Sequence, residues 1–330
     1  MLLNKRIVLH TSCPLHFTSL YSTSLRFLDR VTLNRLEASI FHPELRHFIQ
    51  ILFTSATHTA MLYQTLAVAL GLLATTATAS SEFTNHGTKD GWFIPTPEAQ
   101  GTVDQVTNVV YKGTNALKMT QTYVPGRTGR YHSEVVYNNG YKRGDHKFYG
   151  FAFRLSEKWE FDGTQSYNIA QWIADFTDSG CDDWSPTTMV FLRGNTLYSR
   201  VKTGQLLPGK PCANPKTDCG DGRNCQVIRE FKLQDGIQGG VWYKMQFEVS
   251  WKSDSTGLFR TWVNGNKVHD ESNIPTTLVD DGREFSFRLG LYANGWHDDN
   301  GMTGNQGFRQ VWIDEVGVGS TMADADPANL

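Results

Sequence analysis

The sequence predicts an all-β protein built as a two-sheet sandwich, a β-jelly roll. Three observations carry this expectation. Short runs rich in β-branched and aromatic residues recur from residue 80 onward, turn residues separate them, and no long amphipathic helical pattern interrupts them. Nine Trp, twelve Tyr and nineteen Phe supply the apolar mass of a core, and thirty Gly against eleven Pro suit many turns.

Taken in order, R-Y-H-S-E-V-V-Y at 130–137 alternates so that Arg130, His132 and Glu134 share a face. F-Y-G-F-A-F-R-L at 148–155 reads as a strand, as does Y-N-I-A-Q-W-I-A-D-F at 167–176, where alternation groups Tyr167, Ile169 and Gln171. Residues 187–193 and 196–202 are two further strands. Pro, Gly and three Cys break the pattern over 203–229, which is expected to be a long stapled loop overhanging a binding face. W-Y-K-M-Q-F-E-V-S-W at 242–251 is a strand, and 258–268 is a hairpin, because Asn264-Gly265 suits a type I′ turn. In E-F-S-F-R-L-G-L-Y at 284–292, Phe285, Phe287, Leu289 and Leu291 form the core face, leaving Ser286, Arg288, Gly290 and Tyr292 opposite. Residues 308–318 close a set of about ten strands. Trp242, Trp251 and Trp262 are expected in the core; Trp296, His297, Asp298 and Asp299 either rim a cleft or form a solvated loop.

The N-terminal part reads differently. An apolar run at 66–74 followed by Ala77-Thr78-Ala79 has the order of a secretory signal spanning 61–79, and it is shorter than the roughly 20 residues of a membrane span. Residues 1–60 show no period and are expected to be a mis-extended or disordered stretch ahead of an initiator at Met61. The domain proper is then 80–330, one domain of a secreted, extracellular protein.

Net charge is −2, and removing the six basic and three acidic residues before residue 80 leaves 25 against 30. Neutralising a phosphate backbone needs a clustered basic excess, so nucleic acid is excluded as a partner, and no membrane partner is expected. A monomer is expected. Four cysteines remain in the domain: Cys181, Cys212, Cys219 and Cys225. Behind a secretory signal they read as two disulfides, with three pairings open.

A secreted aromatic-rich sandwich suggests carbohydrate chemistry. Hydrolysis needs two carboxyl groups flanking the scissile bond, and no acidic cluster such as E-x-D-x-x-E is present. Polyuronates can instead be cut by β-elimination, which removes the C5 proton and expels the C4 oxygen. The neighbouring carboxylate must be neutralised as charge builds on it, a task for Gln171 and for His132 or Arg130. Tyr292 can serve as base if nearby positive charge such as Arg288 lowers its pKa. In β-1,4-linked glucuronate the C5 hydrogen and C4 oxygen lie on one side of the ring, so a single Tyr can take the proton and return it to the leaving oxygen.

H-S-E-V at 132–135, I-A-Q-W-I at 169–173 and F-S-F-R-L-G-L-Y at 285–292 resemble the three signature strands of jelly-roll polysaccharide lyases. Alginate lyases of that concanavalin-like fold carry R-[ST]-E, Q-[IV]-H and Y-F-K-x-G-x-Y segments. Here His132 stands where they have Arg, and Ile173 where they have His, a swap similar to that of fungal glucuronan lyases. The resemblance covers most of 85–320. It implies an endo-acting lyase on polyglucuronate in which Gln171 and His132 neutralise the substrate carboxylate and Tyr292 is the acid/base. Arg130, Asn168 and Arg288 would bind substrate, with Arg288 holding the sugar chain or acidifying Tyr292. It also implies a structural Ca2+ tying the N-terminal segment to the last strand, with Asp314 as candidate ligand, and no organic cofactor. Alginate cleavage and lectin-like binding without chemistry are the alternatives.

Overall fold

Residues 81–161 and 165–330 are described by a computed structural model; the expected signal and the stretch before it lie outside the described residues. Fifteen strands follow in chain order. They are β1 (Ser81–Asn85), β2 (Thr102–Val106), β3 (Ala116–Thr122), β4 (His132–Lys142), β5 (His146–Leu155), β6 (Ser166–Asp175), β7 (Trp184–Arg193) and β8 (Thr196–Gln205). Then come β9 (Cys225–Gln234), β10 (Trp242–Ser250), β11 (Gly257–Val263), β12 (Asn266–Ile274), β13 (Leu278–Val279), β14 (Glu284–Tyr292) and β15 (Phe308–Gly319). One short helix, α1 (Asn294–Asp298), follows β14.

The strands form two sheets, as expected of a jelly-roll sandwich. One holds β12-β11-β10-β5-β15-β3-β2 with β1 on β15; the other holds β13-β8-β7-β6-β14-β4 with β9 on β8. Pairing is antiparallel except between β13 and β8. Every strand expected from 148 onward coincides with one of these elements, the expected ends at Phe176 and Trp251 running one residue past β6 and β10. Asn264 and Gly265 both take positive φ, 51° and 81°, as the type I′ hairpin requires. The polar strands β1 to β3 carry too little alternation to be seen in sequence. The stapled loop is also shorter than expected, because 203–205 continue β8 and 225–229 begin β9, paired Gln205 to Cys225.

Aromatic side chains fill the space between the sheets. Trp172 of β6 stacks on Phe287 of β14 with centroids 4.8 Å apart and meets Tyr149 of β5 edge-on at 5.0 Å. Trp251 Nε1 donates to Tyr149 Oη at 3.0 Å, and that hydroxyl donates to Gly140 O at 2.8 Å, whereas Trp172 Nε1 is buried without a hydrogen-bond partner. Trp251 belongs to the core, whereas Trp242 and Trp262 are half-buried. Trp296 is core as well, edge-on to Tyr131 at 5.2 Å, and does not rim a cleft.

Two disulfides join Cys181 to Cys212 and Cys219 to Cys225. The first ties the loop to the segment that leads into β7, and so braces Asp182, Asp183 and Trp184.

The register between β6 and β14 is bulged. Leu289 pairs with Ala170, but the next pairing is Tyr292 with Asn168, so β14 carries one more residue than β6 there, while against β7 it is β6 that carries an extra residue, between Asn168 and Ala170. This overturns the grouping of Tyr167 and Ile169 with Gln171: the bulge shifts the alternation, both residues join the core, and Asn168 lies opposite Tyr292 instead. Gly290 makes the bulge possible. Its φ is +147°, and a Cβ there would sit 2.3 Å from the Ser133 carbonyl oxygen on β4. Gly290→Ala is therefore expected to cost roughly 2–4 kcal/mol of stability from strain and overpacking, read as a lower denaturation midpoint.

Candidate active site

Strands β4, β14 and β6 lie side by side, and their in-register residues build the site. His132, Tyr292 and Asn168 form one cross-strand row. The His132 and Tyr292 rings stack with centroids 3.8 Å apart. Two residues further along β4, Glu134 accepts from Gln171 Nε2 on both oxygens, at 2.8 and 3.0 Å. Gln171 and Glu134 are 1% and 4% exposed, so this pair is a buried floor, not a surface contact. Beside it Arg288 lays its guanidinium over the Trp184 ring at 4.7 Å and donates from Nε to Ser286 Oγ at 3.2 Å.

Of these groups, His132, Glu134 and Arg288 line a groove. A cavity of about 330 Å3 is lined by Phe93, Glu98, Arg130, His132, Glu134, Trp184 and Arg288. It continues past Arg288 into a second of about 380 Å3 that reaches Asn138, Asp175 and Arg283. Phe93 and Trp184, 59% and 44% exposed, form its walls, and Ile173 lines both cavities. Two exposed rings across a groove of this length suit the faces of sugar rings.

Charge in the groove is mixed. Arg130 pairs with Asp183 at 3.1 Å. His132 donates from Nδ1 to Glu98 Oε2 at 2.8 Å, and its backbone N–H donates to the same oxygen at 3.1 Å. Burial raises the Glu98 pKa, but the bonds from His132 and the charges of His132 and Arg127 outweigh it and hold the carboxyl below its ordinary range. Asn168 is fully buried beside Tyr292, with neither its Oδ1 nor its Nδ2 hydrogen-bonded. An orphaned amide is costly in a core, and this one lies directly opposite Tyr292 across the strands.

Tyr292 departs from expectation. Burial, together with the charges of Asp298, Glu134 and Glu98, raises its pKa above the ordinary value, and Arg130 alone among the main contributors lowers it. Arg288 is not the acidifying cation: four residues back along β14, it is turned against Trp184, which leaves it the role of holding the chain.

The sequence-predicted residues His132, Gln171, Tyr292, Arg130, Asn168 and Arg288 all come together on one sheet face. Asp314 lies in the other sheet, on β15. Its Oδ2 accepts from the Tyr111 and Lys112 backbone N–H groups at 2.8 and 3.3 Å, and its Oδ1 from Glu315 N–H at 2.9 Å. Burial pushes its pKa up to about 6 against the pull of those bonds, and the Glu315 charge adds to the rise. Glu315, 2% exposed, accepts from His86 Nδ1 at 2.9 Å.

Glu98, Phe93 and Trp184 were not legible as site residues. Glu98 and Phe93 sit in the proline-broken segment F-I-P-T-P-E, which has no period, and reach the groove only because that segment crosses β4 through the Phe93–Val136 bridge.

A family model described as polysaccharide lyase matches residues 84–317. Among solved structures, the chain is similar to the endo-β-1,4-glucuronan lyase of the fungus Trichoderma reesei, with 51% identity and a TM-score of 0.69 over 76% of this chain and 100% of that one. Weaker likenesses include the cellulose-induced protein Cip1, with 15% identity and a TM-score of 0.41 over 70% of this chain and 91% of that one. The alginate lyase AlgAT5 of polysaccharide lyase family 7 follows, with 12% identity and a TM-score of 0.37 over 62% and 79%. No curated protein matches the chain.

Proposed function

Because the chain belongs to the polysaccharide lyase family, we propose that it cleaves β-1,4-linked polyglucuronate internally by β-elimination, leaving unsaturated uronate ends. The observation that carries this is the convergence of His132, Gln171 and Tyr292 from three adjacent strands, with His132 lining the groove. The 51% identity to a glucuronan lyase over that enzyme's whole length supports the substrate. So does the apolar Ile173 on the groove wall, where alginate lyases of this fold carry a histidine.

In the reaction the C5–H bond breaks, C4=C5 forms, the C4–O bond breaks, and the proton passes to the leaving oxygen, so no water is consumed. Gln171 and His132 donate to the substrate carboxylate as charge develops on it. Gln171 must exchange Glu134 for the substrate to do so, which keeps the amide oriented until the chain arrives. Tyr292 takes the C5 proton as phenolate and returns it to the leaving oxygen on the same ring face. Arg130 is placed to favour the phenolate, while Arg288, Trp184 and Asn168 hold the chain.

Incubation with polyglucuronate should give a rise in absorbance near the ultraviolet edge, from the double bond conjugated to the carboxylate, and an early fall in viscosity. Binding without absorbance would leave a lectin-like module, and absorbance on alginate alone would reassign the substrate.

We assign the enzyme to the cell exterior on the strength of its two disulfides and the signal-like segment 61–79. It acts as a monomer, since one chain supplies every group of the site. Two adjacent buried carboxylates at the junction of the N-terminal segment and the last strand suit a hard cation. Asp314 and Glu315 would hold the structural calcium, which would offset their buried charge. No three His, Cys, Asp or Glu side chains converge there among the described residues, so backbone carbonyls and water would complete the six to eight oxygens. Chelation is expected to lower the melting temperature by several degrees; an unchanged temperature would remove the ion.

A further inference from the structure

The cross-strand row that holds Arg288 and Gln171 does not end at the site. Gln171 pairs with Met189 of β7, and Met189 pairs with Arg200 of β8, so the four side chains leave one face of the sheet. At the usual spacing of about 4.8 Å between strands, Arg200 lies roughly 10 Å from Gln171 on the side away from Arg288.

Arg200 is half-buried and poorly satisfied. Its Nε is shielded from water with no hydrogen-bond partner, and one Nη rests 2.6 Å from the Met189 sulfur, a weak acceptor. Among the described residues no carboxylate lies within ion-pair distance of it. Its neighbours differ: Lys202 is 3.7 Å from Asp182, and Glu230, directly opposite Arg200 on β9, is engaged by Arg193 at 3.4 Å. Burial lowers the Arg200 pKa, and the charges of Glu230, Asp298, Tyr292 and Asp182 oppose that loss through space, although none of these groups forms an ion pair with it. A shielded guanidinium without a direct ion pair is costly, and a polyanion would supply that contact when it binds.

We infer that Arg200 clamps the carboxylate of a second uronate unit on the β8 side of the scissile bond, so that Arg200 and Arg288 flank Gln171 as two anion-binding points for one chain. This rests on the polyuronate reading above. The groove would then run across the strands from Trp184 and Arg288 toward Phe191 and Tyr198, whose stacked rings, 5.5 Å apart, lie in the row of Tyr292 and Asn168.

Arg200→Met tests the clamp by the division between KM and kcat on polyglucuronate. KM is expected to rise roughly ten- to hundredfold, as for loss of a charged hydrogen bond, with kcat falling far less. The melting temperature should stay the same or rise, because an uncompensated buried charge is removed. Arg200→Lys, which keeps the charge but not the fork, should fall between the two. An unchanged KM, or a loss of activity that tracks a lower melting temperature, overturns the inference. Failure of the wild-type protein to form unsaturated ends would instead overturn the substrate reading, so the two failures are separable.

Discussion

Tyr292→Phe is expected to lower kcat on polyglucuronate by about a hundred- to ten-thousandfold while changing binding only a few-fold. The substitution removes one oxygen and leaves the ring, so its stack on His132 and its place in the bulged strand are kept. What is lost is the group that takes the C5 proton and delivers it to the leaving oxygen. Initial rates of ultraviolet absorbance measure the first quantity, and retardation in a polyglucuronate gel measures the second. A variant with wild-type kcat would remove Tyr292 from its role. The pH profile gives an independent check, with its sign fixed by the charges around the phenol. The base is the phenolate, and burial with Asp298, Glu134 and Glu98 raises the pKa, while Arg130 lowers it. Arg130→Gln should therefore move the rising limb of kcat to higher pH, and Asp298→Asn should move it to lower pH. Shifts in the same direction would mean that another group titrates in that limb.

Gln171→Ala is the second large effect, expected to reduce kcat/KM by about a hundred- to thousandfold. Two losses combine. The amide that meets the developing charge disappears, and Glu134, 4% exposed, loses both of its contacts to Nε2 and faces the incoming carboxylate as a like charge. Adding Glu134→Gln to the variant should restore part of KM by removing that repulsion, but little of kcat, because the donor is still absent. Since an orphaned buried carboxylate also costs stability, about 1–3 kcal/mol, melting temperatures must accompany the kinetics. If Gln171→Ala folds and turns over normally, the neutralising role passes to His132.

Much of this was legible in the chain. The three segments 132–135, 169–173 and 285–292 state their strand character by alternation, and alternation alone assigned Phe285, Phe287, Leu289 and Leu291 to the core, where all four are fully buried. His132, Glu134, Arg288 and Tyr292 were placed together on the other face by the same rule. It failed at the β6 bulge, because an inserted residue leaves no mark in a period-two pattern, and so Tyr167 and Ile169 were put on the wrong side. It also missed Glu98, which lies 34 residues from His132 in sequence and in a segment without period.

The chain by itself determined which segments are strands, which face of each is apolar, and which polar residues the apolar faces leave over, since these follow from local propensity and alternation. Tertiary structure decided what those residues touch. It chose one disulfide pairing of three, turned Arg288 onto Trp184, set Glu98 against His132, and raised the proton affinity of Tyr292 where a lowered one was expected. The physical reason is that hydrogen bonds and charges act through space over a few ångströms. Strand order and register, not sequence separation, bring such groups within reach of one another.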